Sequence, residues 1–126
     1  METEIIDLRD LIMMIKEKKA TLNANLALEF DCKIEVEDYK PLVKVINYAI
    51  NYVGQLTDQP MQISLNAGGN GFLLGFTAFT SQTEFPPIST QVTEALVPYK
   101  ATAGLSGEPG KYVKVLLTFQ KENTIR

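Results

Sequence analysis

The run Leu42-Val43-Lys44-Val45-Ile46-Asn47-Tyr48-Ala49-Ile50-Asn51-Tyr52-Val53 decides how the rest of the chain is read. Leu42, Val45, Ile46, Ala49, Ile50 and Val53 recur at three- and four-residue spacing, which places them on one face of a helix. Asp38 stands where an N-cap accepts a first-turn N–H, and Pro41 stands where the first turn tolerates a missing one. A helix over 39–53 follows, closed by Gly54. One apolar stripe is what a helix needs to cover one side of a sheet.

Upstream, Leu26, Leu28 and Phe30 alternate with Glu29 and Asp31, which predicts a strand over 26–32. Downstream, the turn Thr57-Asp58-Gln59-Pro60 leads into a strand over 61–65. The tight stretch Asn66-Ala67-Gly68-Gly69-Asn70-Gly71 returns the chain as a strand over 72–80. The closely spaced glycines lack the Lys-Ser/Thr ending of a phosphate loop, so they read as a hairpin turn. Glu84-Phe85-Pro86-Pro87 is a linker, because paired prolines cannot continue a central strand. A short helix within 89–99 stops near Pro98, and strands over 101–106 and 111–120 close the chain as a hairpin around Gly107-Glu108-Pro109-Gly110. The expected fold is α+β: a two-layer α/β sandwich with a mixed sheet of about five strands and helices on one face. Leu42, Ile46, Ile50, Leu74, Phe76, Val115 and Leu117 are its expected core.

A further helix over 4–20 precedes these elements. Ile5, Leu8, Ile12 and Ile15 form a heptad-like seam on it, and Ile6, Met13 and Met14 widen the apolar surface. That surface is too broad for one helix face of a small domain. The reading divides the chain into an N-terminal segment 1–25, a dimerisation element, and a domain over 26–126. The competing outcome is a monomer in which Ile6, Met13 and Met14 fold back onto the chain's own sheet.

Composition removes whole chemistries. The 126 residues include no histidine, which excludes a Ser-His-Asp triad, a Cys-His pair and a phosphohistidine within the chain. The one cysteine, Cys32, forms neither an internal disulfide nor an ordinary zinc site, and reads as a small buried residue. A net charge of −3 with scattered lysines lacks the basic stripe of a nucleic-acid binder. No apolar run approaches the ~20 residues that span a bilayer. Glu2, Glu4, Asp7 and Asp10 precede the first lysine, the wrong pattern for a signal peptide, so a cytoplasmic setting is expected.

The order strand, helix with an asparagine pair four apart, turn, hairpin resembles the histidine-kinase-type ATPase (Bergerat) fold over about residues 26–120. The run 42–53 is similar to that family's N-box helix. Leu105-Ser106-Gly107-Glu108-Pro109-Gly110-Lys111-Tyr112-Val113-Lys114-Val115-Leu116-Leu117 is similar to its last hairpin. The resemblance implies that Asn51 is the position holding the magnesium ion of ATP, with Asn47 one turn earlier on the same helix face. The plainer reading makes both the polar face of an amphipathic helix. The sequence also departs from the family. Its adenine-binding Asp-x-Gly-x-Gly motif follows the strand matching 72–80, where this chain reads Ala78-Phe79-Thr80-Ser81-Gln82. The glycine-rich lid that wraps the phosphates is missing, since no glycine lies between Thr80 and Gly104. The expectation is a degenerate domain: not an enzyme, without cofactor or metal. It would serve as an interaction or regulatory module in bacterial signalling, whose partner is another signalling protein such as a response regulator or kinase. The alternative is a domain that binds a nucleotide or small ligand weakly beside Asn47 and Asn51.

Overall fold

The computed structural model describes residues 3–19, 22–68 and 71–120. The chain is α+β, with a five-stranded mixed sheet layered against helices, and the seven expected core residues are all buried. In chain order the elements are β1 (Glu4–Asp7), α1 (Leu8–Lys18), β2 (Ala24–Leu28), β3 (Lys33–Val36), α2 (Lys40–Gln55), β4 (Met61–Gly68) and β5 (Gly71–Phe79). α3 (Thr90–Leu96), a 3-10 turn (Val97–Tyr99), β6 (Ala101–Glu108) and β7 (Tyr112–Gln120) complete the chain.

The main sheet has the order β2-β4-β5-β7-β6, with β2 parallel to β4 and every other pair antiparallel. Its register lines up apolar side chains across all five strands. One row is Leu26, Ile63, Phe76, Val115 and Leu105; the next is Leu28, Leu65, Leu74, Leu117 and Ala103. Side chains alternate between sheet faces, so both rows lie on the same side, and α2 buries Leu42, Ile46, Ala49 and Val53 in the same core.

Several boundaries differ from the sequence reading, each for a local reason. Residues 4–7 are not helical: Ile5 and Ile6 pair with Glu35 and Ile34 in a separate two-stranded antiparallel ribbon, β1 with β3. Asp7 ends that strand and caps α1, its carboxylate accepting the Arg9 N–H at 3.0 Å. The strand expected over 26–32 stops at Leu28; Phe30 is 71% exposed and Asp31 takes a left-handed conformation with φ 61°. Helix α2 runs through Gly54 to Gln55, and Tyr39 rather than Asp38 occupies its cap position. The Asp38 carboxylate still accepts the Lys40 N–H at 3.0 Å. The hairpin strands reach in to Gly68 and Gly71, and the Gly69-Asn70 turn lies outside the described residues. The helix expected over 89–99 is two pieces, with Pro98 in the 3-10 turn.

The N-terminal seam is split. Leu8, Ile12 and Ile15 lie in the common core with α2 and the sheet, while Ile5 on β1 is 61% exposed. These three side chains cannot face a second chain without leaving the core, and Leu11 joins them there.

Candidate functional site

Each residue of a helix turns by 100°, so α2 presents distinct flanks on either side of its buried stripe. Tyr48 and Tyr52, four residues apart, share the flank facing the segment between β5 and α3. Their rings stack with centroids 6.2 Å apart. The Tyr52 hydroxyl donates to the Pro86 carbonyl, and the Tyr48 hydroxyl accepts the Ser89 N–H at 3.0 Å. Phe85 and Ile88 pack against the core on either side of the proline pair. Residues 85–89 thus form a strap tied to the flank of α2, and Tyr52 beneath it is 4% exposed. Burial, followed by the neighbouring Tyr48, raises the Tyr52 pKa above that of an ordinary tyrosine.

The end of β5 is tied down from two directions. The Thr80 hydroxyl donates to the Leu56 carbonyl and accepts the Gln82 N–H at 3.0 Å, while the Thr57 hydroxyl donates to the Phe79 carbonyl. On the other side, the Thr80 N–H meets the Lys111 carbonyl at 3.0 Å and the Gly110 N–H meets the Gln82 carbonyl at 2.7 Å. An open cleft of about 800 Å³ lies alongside, lined by Thr57, Gln59, Phe79, Ser81 and Gln82, with Asp58 and Lys111 as its charged groups. Phe79 through Gln82 contribute no carboxylate there.

Asn47 and Asn51 sit elsewhere. Each is one residue before a strap-binding tyrosine, hence 100° around the helix from it. Asn51 is exposed and lines a second open cleft, about 720 Å³, together with Lys18, Lys19, Asn23 and Asp58. The Asn47 carboxamide oxygen is buried and has no hydrogen-bond partner among the described residues. The cleft beside Asn51 thus carries two lysines and one aspartate, and no group of three His, Cys, Asp or Glu side chains converges among the described residues.

Three solved structures are similar to this chain over nearly its whole length. The ATP binding domain of PrrB from Mycobacterium tuberculosis matches 95% of this chain over 98% of its own, with a TM-score of 0.73 and 17% identity. The histidine kinase domain of the E. coli osmosensor EnvZ matches 100% of this chain over 93% of its own, with a TM-score of 0.76 and 10% identity. The histidine kinase AdeS of Acinetobacter baumannii matches 98% over 69%, with a TM-score of 0.67 and 18% identity. The chain has the histidine-kinase-type ATPase fold. No protein-family model matches the sequence, and no curated protein matches it.

In this fold the stretch after β5 is where the resemblance places the adenine carboxylate and the lid. Threonine staples and the tyrosine-bound strap occupy it here. The sequence reading missed both tyrosines. Their signal was present: an aromatic pair at four-residue spacing beside Val45 and Ala49 is too close to the buried stripe to face open solvent.

Proposed function

We propose that this chain is a non-catalytic interaction or regulatory module of bacterial signal transduction, a kinase-type ATPase domain that has given up nucleotide binding. The observation that supports the reading is the segment after β5: where the resemblance expects an adenine carboxylate and a lid, Thr80 is tied to Leu56 and residues 85–89 are held on Tyr48 and Tyr52. A nucleotide finds no carboxylate on 79–82 for its amino group, leaving a polar edge unpaired at a cost of ~1–3 kcal/mol. The partner is another signalling protein, a response regulator or a kinase, met in the cytoplasm. Among the described residues no helix is long and apolar enough to cross a membrane.

Isothermal titration with ATP and magnesium tests this. The expected result is no binding tighter than millimolar. Saturable micromolar binding abolished by Asn51→Ala would overturn it in favour of the second reading, a weak small-ligand site. That reading draws on the lysine-lined cleft beside Asn51, whose charge suits an anion better than a metal.

A further inference from the structure

The strap over residues 85–89 lies between two ends that are fixed without it. Before it, Thr80 is bonded to Leu56 and Lys111, and the Gln82 carbonyl accepts the Gly110 N–H. After it, α3 is anchored by the buried side chains of Val92 and Leu96. Between these ends Thr83, Glu84, Pro86 and Pro87 are exposed, while Phe85 and Ile88 are partly buried against the core. Among the described residues, the backbone from Thr83 to Ile88 makes one hydrogen bond, which the Pro86 carbonyl accepts from the Tyr52 hydroxyl. A segment held this lightly between fixed ends opens at low cost, without unfolding the layers it covers.

What the helix flank holds is set by proline chemistry. Pro86 and Pro87 fix their own φ, and each restricts the residue before it, so Phe85 and Pro86 are extended. Neither proline carries an N–H, which leaves carbonyls as the polar groups the pair presents. Tyr52 donates to the Pro86 carbonyl, and Tyr48, its ring stacked on that of Tyr52, accepts the N–H of Ser89 three residues later. Aromatic-lined grooves take proline-bearing segments in this manner, because a stiff extended chain loses little entropy on binding.

We propose that the Tyr48–Tyr52 flank of α2 is a recognition groove for an extended segment of the pattern apolar-Pro-Pro-apolar-Ser. In the free protein its occupant is the chain's own residues 85–89; when the strap lifts, the occupant is such a segment of a partner protein. The proposal rests on the interaction-module reading and gives the partner of that module a chemistry. The strap acts as an intramolecular competitor, so apparent affinity for the partner falls in proportion to the fraction of molecules in which it is lifted. Loosening the strap therefore tightens partner binding, and removing the Tyr52 hydroxyl weakens it.

Fluorescence anisotropy with a labelled peptide of the sequence 84–90, in the absence of nucleotide, tests the groove. Phe85→Ala with Ile88→Ala removes the two apolar anchors of the strap and leaves α2 unaltered. This double variant should bind the peptide about tenfold more tightly than the unaltered protein. Adding Tyr52→Phe should reverse most of that gain, and Pro86→Ala with Pro87→Ala in the peptide should weaken binding about tenfold. In the unaltered protein, millimolar peptide should speed amide exchange at Ser89 as its N–H loses Tyr48, a readout that does not depend on the double variant folding. Absence of peptide binding together with an unchanged Ser89 amide would overturn the proposal. So would binding indifferent to Tyr52→Phe and to the prolines, or a double variant that sediments as a dimer and so gives the groove to a second copy. The ATP titration stays separate: a chain that binds neither ATP nor the peptide keeps the interaction-module reading and loses this one, whereas micromolar ATP binding removes that reading whatever the peptide does.

Discussion

Tyr52 shows how much one side chain carries here. Its ring lies in the core, its hydroxyl holds the strap at Pro86, and its neighbour Tyr48 stacks on it. Tyr52→Phe keeps the packing and removes the donor, leaving the Pro86 carbonyl without it. The expected loss is about 0.5–1.5 kcal/mol in urea unfolding at neutral pH. The same residue fixes a pH dependence. Burial and Tyr48 raise its pKa above the ordinary 10.0, and burial also raises that of Tyr99. In the unfolded chain these hydroxyls ionise first, so above the ordinary value the unfolded state binds fewer protons and stability falls as pH rises. Their contribution is complete below the unfolded pKa and disappears as pH passes through the folded one. The tyrosine contribution to the unfolding free energy should therefore be complete up to about pH 9 and decline above about 10. The decline should be shallower in Tyr52→Phe, and urea titrations across that range check both statements.

At the level of elements, the sequence made the long periodic pieces legible and concealed the short ones. Helix α2 and strands β4, β5 and β7 were readable because their apolar positions repeat for four or more residues at one period. The ribbon β1–β3 was not, because each strand is four residues long and its pairing joins segments nearly thirty positions apart. Ile5, Leu8, Ile12 and Ile15 look like one seam when 4–20 is read as a continuous helix. The break at Asp7 moves Ile5 onto a strand and leaves the other three pointing into the core. Ile12, 1% exposed, gives the test. A carboxylate at that position has no partner and a large desolvation cost, so Ile12→Glu should unfold the domain or lower its melting temperature sharply. Circular dichroism during heating checks this; a folded Ile12→Glu variant of unchanged stability would mean that α1 lies outside the core. Of the candidate site, the absence of a carboxylate on 79–82 was readable directly from the sequence. The strap was not, since only the folded chain brings Pro86 and Ser89 to two tyrosines 34 and 41 positions away.

Over the whole molecule, two apolar rows crossing five strands and the stripe on α2 account for a sandwich that persists at 10–18% identity to kinase domains. Fold and function separate at this point, because the layers depend on buried side chains while nucleotide chemistry depends on a few groups at their edge. In this chain residues 85–89 are held against α2 by Tyr48 and Tyr52. The central claim of the proposed function is that residues 85–89 stay bound to Tyr48 and Tyr52 and that ATP does not engage the domain, and the Ser89 amide reports on it directly because its N–H is donated to Tyr48. Amide exchange at Ser89, with and without millimolar ATP and magnesium, is the decisive measurement. The account predicts a protected Ser89 amide whose rate is the same in both conditions. An amide that exchanges as fast as an unstructured one, or whose protection changes when ATP and magnesium are added, would contradict it.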